Sequence, residues 1–174
     1  SSDAMNVPQS FPDYIKNVAS SEIYPTWPEE ALRANILAQI SVAMNRVFTG
    51  FYRNSGYDFD ITNSPAYDQT YVYQRDIYEN ISEIVDEIFN SYIRREGFIE
   101  PLFAVFCDGV EVNCDGLKQW GSVELANQGL NYEEILKTYY GDDIVIVTNV
   151  PVDDIASTAP EVPIQEGDTG RDVE

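Results

Sequence analysis

The sequence predicts an α+β domain in which a long central helix packs on a small, mostly antiparallel sheet. Its 174 residues are 44% hydrophobic and 13% aromatic, which is sufficient for one domain with a buried core. Helix-length apolar repeats separate a few short strand patterns, and the sequence has no glycine-rich phosphate-binding loop. Together these observations favour the α+β class.

The longest helical pattern covers residues 28–53 and is the predicted centre of the domain. Pro28 suits a first helical turn, since the amide hydrogen that proline lacks would have no partner there. Thr26 and Glu29 have the spacing of a capping box, which assigns Glu29 a structural role. Apolar residues recur in steps of three and four along one helix face, at Leu32, Ile36, Ile40, Ala43, Val47 and Phe51.

Glu30 lies in the first turn of this helix, on a flank of small and apolar residues. Partial burial would favour the protonated form that a general acid requires, whereas the helix N-terminus favours the carboxylate. A solvated first-turn acid is the simpler interpretation, and the pattern alone favours it.

Shorter patterns and turn residues predict the remaining elements. In chain order we expect a helix (11–21), the long helix, a strand (57–61), an irregular loop (62–74), a helix (80–95), a hairpin (102–107 and 110–112), two short helices (120–128 and 131–140) and a strand (144–147). The hairpin turn consists of Asp108 and Gly109.

The composition changes near both ends of the chain. Residues 1–10 have no periodic pattern and are expected to be a lead-in. Residues 151–174 contain several prolines and acidic residues without an apolar repeat, which is typical of a linker. The predicted folded domain therefore covers residues 11–150.

Cys107 and Cys114 lie on the two arms of the predicted hairpin. A disulfide across the hairpin and a pair of reduced thiols are both consistent with this spacing. A metal site of two cysteines without histidine is less favoured.

Charge and composition exclude several classes of function. The net charge is −20 and the chain has no basic cluster, which argues against binding of nucleic acids or anionic membranes. The sequence has no histidine, so Ser/His and Cys/His nucleophiles are excluded. Apolar runs are too short for a membrane span. The twelve tyrosines suit either a core or a surface that holds sugar rings.

Two long stretches resemble one family. Residues 22–25 (EIYP) followed by 27–35 (WPEEALRAN) resemble the opening of the SpoIID/LytB (stage II sporulation protein D) domain. Residues 116–121 (GLKQWG) and 125–140 (LANQGLNYEEILKTYY) resemble its later turn and ending. The motifs bracket residues 20–147, and the resemblance implies a single SpoIID-like domain.

Within that family the chain is most similar to the SpoIID-like region of clostridial spore cortex-lytic enzymes and peptidoglycan-binding proteins. Residues 11–22 and 57–63 carry this similarity, and residues 164–174 resemble the truncated start of a peptidoglycan-binding repeat. The implied partners are peptidoglycan glycan strands and an adjacent peptidoglycan-binding domain. The implied location is the spore or cell envelope, or the exterior, of a Gram-positive bacterium.

The resemblance implies a lytic transglycosylase that cleaves the bond between N-acetylmuramic acid and N-acetylglucosamine without a cofactor. Glu30 occupies the position of the catalytic glutamate. The motif-bearing loops supply candidate substrate-binding residues, namely Tyr67, Gln69, Tyr71, Gln119 and Trp120. The alternative is a catalytically degenerate module that binds glycan, or that scaffolds or regulates neighbouring domains.

The chain also departs from the family pattern. Some members bind zinc through a histidine and two cysteines, whereas residues 61–71 contain neither type and Asp68 stands where a cysteine would be. Ile40 replaces an arginine of the helix motif, and residues 112–115 replace a His-Gly stretch. We therefore expect no bound metal, and a loss of activity is consistent with these changes.

Overall fold

The computed structural model describes residues 4–151 and 161–165, and its elements confirm the α+β class. In chain order they are β1 (Ala4–Pro8), α1 (Phe11–Glu22), α2 (Glu29–Thr49), a 3-10 turn (Arg53–Ser55), α3 (Glu79–Ile88), β2 (Tyr92–Arg95), β3 (Phe106–Cys107), β4 (Leu117–Lys118), α4 (Gln119–Asn127), α5 (Tyr132–Tyr140), β5 (Ile144–Val147) and β6 (Glu161–Gln165).

Helix α2 forms the centre of the core, as predicted. Every residue from position 34 to 44 is buried, so α2 is enclosed on all sides over three turns. It packs against α1, α3, α4, α5 and β2. Ser41 connects α2 to β2, because its hydroxyl donates to the Leu37 carbonyl (2.7 Å) and accepts the Ile93 N–H (2.9 Å).

The two ends of α2 differ from the prediction. The helix begins at Glu29 with Pro28 at the N-cap position, and no side chain caps it. The expected capping box of Thr26 and Glu29 is therefore wrong, because the helix starts too late for Thr26 to reach its first N–H groups. The helix ends at Thr49, since Gly50 adopts a left-handed conformation (φ +61°) that stops it before the predicted limit.

The strands form three separate pairs. β1 pairs with β6 and β2 pairs with β5, both antiparallel, whereas β3 and β4 are parallel. The sheet content is mostly antiparallel, as expected, but among the described residues the three pairs do not join into one sheet. The predictions for α1, α4, α5 and β5 are confirmed to within one or two residues.

Three predicted elements take other forms. The helix expected over 80–95 ends at Ile88, because residues 92–95 pair with β5 and bury Ile93. Residues 57–61 form no strand; the N–H groups of Asp60 and Ile61 both donate to the Glu161 carbonyl. The expected hairpin over 102–112 is wrong as well, since β3 pairs with β4 instead of with residues 110–112.

Strands β1 and β6 lie in the segments expected to be a lead-in and a linker. Val7 is opposite Val162, whose side chain is fully buried in the core. The Asp60 carboxylate accepts the N–H of Glu161 (2.8 Å) and also binds Arg53 (2.8 Å). The described parts of both segments therefore pack on the domain. Most of the expected start of a peptidoglycan-binding repeat lies outside the described residues.

Candidate functional site

Glu22 joins three parts of the molecule near one end of α2. It is the last residue of α1, and its side chain is partly buried. One carboxylate oxygen accepts the backbone N–H of Thr70 (2.9 Å), and the other accepts the side-chain amide of Gln119 (3.3 Å). The carboxylate thus connects the end of α1 to the loop over residues 62–74 and to the first residue of α4.

Three aromatic rings contact one another close to Glu22 or to its partner Gln119 in the chain, and we call Tyr24, Trp27 and Trp120 the aromatic cluster. The ring centroids of Trp27 and Trp120 are 4.8 Å apart, and Tyr24 lies 5.8 Å and 5.7 Å from them. Trp27 is 9% exposed and supports the other two, which are 56% and 43% exposed. Aromatic faces held in this way offer a flat apolar surface to a ligand.

A second surface feature continues from the aromatic cluster. A cleft of about 170 Å³ lies beside Trp27, between the N-terminal part of α2 and the length of α3. Its walls include Arg33, Asn80 and Glu83. The Asn80 amide also donates to the Pro25 carbonyl (2.8 Å), which ties α3 to the turn that carries Tyr24.

Glu30 lies in a different environment from Glu22. Its carboxylate accepts the backbone N–H of Tyr132 (3.1 Å), which is the first residue of α5. The first N–H groups of a helix have no partner within it and carry its positive dipole end, so a carboxylate there is stabilising. Arg33 pairs instead with Glu29 (3.4 Å) and Glu87 (2.6 Å). The contact of Glu30 is that of a tertiary helix cap.

The structure separates the five candidate substrate-binding residues into two groups. Trp120 lies in the aromatic cluster and Tyr67 is 69% exposed, whereas Gln119 is only 5% exposed and contacts the Glu22 carboxylate. Gln69 and Tyr71 are only 0% and 2% exposed, so they belong to the core and are not available to a substrate.

The partners of the two buried residues explain this correction. The Gln69 amide donates to the Tyr14 hydroxyl (3.1 Å) and to the Gln39 carbonyl (3.2 Å), while Tyr71 stacks on Tyr14 at 5.7 Å. Burial raises the pKa of Tyr71 to about 12, and it raises the pKa of Tyr14 further. Both hydroxyls therefore remain protonated and serve the packing of α1 on the loop.

Sequence reasoning did not single out Glu22 as a functional residue, although a signal was present. Glu22 stands at the start of the motif EIYP and ends a helix directly before Tyr24 and Pro25. A carboxylate at a helix C-terminus opposes the helix dipole, so its position there requires another reason. The contacts with Thr70 and Gln119 supply that reason.

Asp68 occupies the position where the family pattern has a cysteine. Its side chain is 0% exposed, and its oxygens accept hydrogen bonds from Arg46, Tyr52 and both the N–H and the hydroxyl of Thr62, at 2.7–3.0 Å. Burial and the neighbouring Asp68 carboxylate raise the pKa of Tyr52 to about 12. Within residues 4–151 and 161–165, no group of three or more acidic or cysteine side chains could hold a metal ion.

A disulfide joins Cys107 and Cys114, whose Cα atoms are 6.1 Å apart. It closes the loop over residues 108–113, which we call the disulfide loop. This loop contacts the site directly, because the N–H of Trp120 donates to the carbonyl of Asp108 (3.2 Å).

Comparison with known proteins gives one family. The family model of SpoIID, described as stage II sporulation protein, matches residues 5–92. The matched region contains Glu22, Glu30 and Thr70, whereas Gln119, Trp120 and Tyr132 lie outside it. No curated protein and no solved structure shows significant similarity to the chain. In the part of the chain that the structure describes, no helix combines the length and the hydropathy that a membrane span requires.

Proposed function

The chain belongs to the SpoIID family of stage II sporulation proteins, and on this premise we propose that it cleaves peptidoglycan glycan strands as a lytic transglycosylase. The family associates the chain with sporulation and the cell envelope. The proposed substrate is the bond between N-acetylmuramic acid and N-acetylglucosamine in spore cortex or cell-wall glycan. The observation that supports it is the partly buried carboxylate of Glu22, whose partner Gln119 is followed by the exposed ring of Trp120, which in turn contacts the exposed ring of Tyr24.

The reaction requires a single carboxyl group. In its acid form the group protonates the glycosidic oxygen, which leaves with its sugar. The resulting carboxylate then takes the proton of the C6 hydroxyl of the muramic residue, and that oxygen attacks C1 to close an anhydro ring. The carboxyl group is protonated again at the end of the reaction, and the mechanism requires neither a second carboxylate nor a cofactor.

Two glutamates are candidates for this role. The resemblance indicates Glu30, whose carboxylate accepts an N–H at the start of α5. The geometry favours Glu22, because Gln119 and Thr70 orient both of its oxygens while its side chain remains partly accessible. We therefore assign the acid–base role to Glu22 and retain Glu30 as the second candidate.

The aromatic cluster supplies the sugar-binding surface in this proposal. The exposed faces of Tyr24 and Trp120 are suited to stacking against the apolar faces of sugar rings. Gln119 is 5% exposed and acts by orienting Glu22, while Tyr67 extends from the loop as a further contact. The net charge of −20 repels the carboxylates of stem peptides, so the proposal favours glycan from which those peptides have been removed.

The test is digestion of purified cortex peptidoglycan and of peptide-free glycan, with mass spectrometry of the products. Wild type should release fragments that end in anhydromuramic acid. Glu22→Gln should abolish them, because an amide keeps the shape but cannot transfer the proton, and Glu30→Gln should retain them. The opposite result would assign the chemistry to Glu30, and products from both variants would contradict a single-glutamate mechanism at either residue.

A glycan-binding module without catalysis is the second candidate, and the departures at Ile40 and residues 112–115 favour it. In that case wild type binds peptide-free glycan but yields no anhydromuramic ends, and Glu22→Gln binds equally well. Trp120→Ala should weaken glycan binding under both proposals. We also propose that the protein acts beside a peptidoglycan-binding neighbour at the spore or cell envelope.

A further inference from the structure

We infer that the disulfide between Cys107 and Cys114 positions the glycan-binding surface, so that a thiol reductant switches off glycan binding while leaving the core folded. The inference rests on the proposed function for its effect on glycan. Its structural part concerns only the disulfide loop and the first turn of α4.

The chain path places the disulfide loop against the site. Cys107 ends β3, and it lies opposite Lys118 of the parallel strand β4. Helix α4 begins directly after Lys118 with Gln119 and Trp120. The disulfide brings Cys114 back to the end of β3, so the loop is closed next to the strand that leads into the site.

Polar contacts hold the disulfide loop together, with little apolar burial. The Asp108 carboxylate accepts the N–H groups of Val110, Glu111 and Val112 at 2.9–3.1 Å. These bonds, led by the one from Val110, lower the pKa of the Asp108 carboxyl group. Val110 and Val112 are 73% and 60% exposed, so they contribute little to the core. The covalent bond therefore restrains the loop in addition to these polar contacts.

The loop also lies too close to β4 to shift without losing contacts. Gly109 has φ +79°, and a Cβ atom at this position would lie 2.7 Å from the Cβ of Lys118. The Lys118 ammonium in turn donates to the Gly116 carbonyl (3.0 Å) and lies 5.7 Å from the ring of Tyr139. Lys118 of β4 thus lies between the disulfide loop and Tyr139 of α5, directly before the start of α4.

One hydrogen bond transmits the position of the loop to the site. The N–H of Trp120 lies in the first turn of α4, where it has no partner within the helix. It donates to the carbonyl of Asp108, the residue that follows Cys107 (3.2 Å). Release of Cys107 from Cys114 would loosen the loop that carries this carbonyl, and the anchor of the Trp120 backbone would weaken.

The switching step is thiol–disulfide exchange. A dithiol reductant attacks one sulfur as a thiolate, a mixed disulfide forms, and its second thiol releases the protein as two cysteine thiols. The protein gains two electrons and two protons, and the reductant becomes a cyclic disulfide. Cys114 is partly exposed, whereas Cys107 is 8% exposed, so attack occurs at the Cys114 sulfur.

The test compares the oxidised chain with the chain reduced by dithiothreitol, with the thiols counted by alkylation and mass spectrometry. Hydrogen exchange should accelerate by at least about tenfold over residues 117–122, while residues 34–44 of α2 remain protected. Binding of peptide-free glycan should weaken by a similar factor. In cleavage assays the loss should appear in both KM and kcat, because Trp120 contacts sugar and Gln119 orients Glu22.

Matched variants distinguish a local effect of the disulfide from a general loss of stability. A Cys107→Ala/Cys114→Ala chain should behave as reduced and should not respond to dithiothreitol, whereas Val110→Ser should behave as wild type. Unchanged exchange at 117–122 after complete reduction would overturn the inference, and so would equal loss of protection in α2. If the oxidised chain neither binds nor cleaves glycan while exchange at 117–122 still responds, the proposed function fails and the positioning role stands.

Discussion

Asp68 and Glu22 are two carboxylates that anchor the same loop, yet their surroundings differ in one decisive respect. Asp68 is fully buried and accepts four hydrogen bonds, one of them from a guanidinium group. Glu22 is partly exposed and accepts two, both from uncharged amides. A carboxylate whose lone pairs are all used has no position left for a substrate proton, so Asp68 serves structure and Glu22 remains open to chemistry.

The surroundings of Arg46 strengthen this contrast. Its guanidinium lies 3.6 Å from the ring centroid of Phe51 and 4.0 Å from that of Phe103. The planar cation therefore stacks between two rings while it pairs with Asp68. This arrangement fixes the far end of α2 to the loop through desolvated charges, whereas the Glu22 end uses neutral donors near solvent.

The largest change in stability is expected from a substitution at Asp68. Asp68→Ala should lower the free energy of unfolding by about 3–5 kcal/mol, because it leaves the Arg46 charge buried without its partner. Urea denaturation measures this change. The matched control is Asp86→Ala, which breaks the exposed pair with Lys16 (Asp86 side chain 62% exposed) and should cost less than about 1 kcal/mol. Equal effects for the two variants would contradict the structural role of Asp68.

Much of the fold follows from local sequence patterns. The apolar repeat of α2, the turn glycines and the β-branched run Ile144–Val147 predict elements that the structure contains. The predictions fail where contacts with residues that are distant in the chain determine the local conformation. Residues 92–95 continue a helical pattern, yet pairing with β5 and the Ser41 hydroxyl hold them as a strand. Strands β1 and β6 lack an individual signal because each depends on the other.

The site was predictable in part, for a similar reason. The motif GLKQWG indicated Gln119 and Trp120, and the structure places them at the start of α4, where Gln119 contacts Glu22 and Trp120 contacts Tyr24 and Trp27. Spacing could not show that Gln69 and Tyr71 point into the core, since the loop over 62–74 has no period. Local spacing also could not indicate Glu22, because its hydrogen-bond partners lie 48 and 97 residues away in the chain.

The second-largest change in stability is expected for Glu22, the partly exposed carboxylate of the pair compared above. Glu22→Ala should destabilise the fold by about 1–2 kcal/mol, because two partly exposed hydrogen bonds lose their acceptor. Thermal and urea denaturation should both show this smaller change. A loss as large as that of Asp68→Ala would mean that Glu22 is primarily a structural carboxylate, and the assignment of the acid–base role would then return to Glu30.

Glu30 should show a smaller effect that depends on the replacement. Glu30→Ala removes the acceptor for the first N–H of α5 and should cost about 1 kcal/mol, the usual value for a helix cap. Glu30→Gln keeps a carbonyl oxygen at this position and should cost about half as much. Urea denaturation of the two variants side by side measures the difference. Equal losses would show that the Tyr132 contact does not determine the contribution of Glu30 to stability.

The smallest effect is expected at Glu29, although the sequence alone assigned it a capping role. Its carboxylate caps no N–H of α2, and within the part of the chain that the structure describes its polar partner is Arg33, at 3.4 Å on the helix surface. Arg33 keeps its closer partner Glu87 (2.6 Å) when Glu29 is removed. Glu29→Ala should therefore change the free energy of unfolding by no more than about 0.5 kcal/mol, the contribution of an exposed pair four residues apart. A capping box would have cost about 1 kcal/mol or more, so precise urea denaturation of Glu29→Ala beside Glu30→Ala distinguishes the two arrangements. If Glu29→Ala lowers the free energy of unfolding more than Glu30→Ala does, helix α2 begins before residue 29 and Glu29 is the carboxylate that caps it.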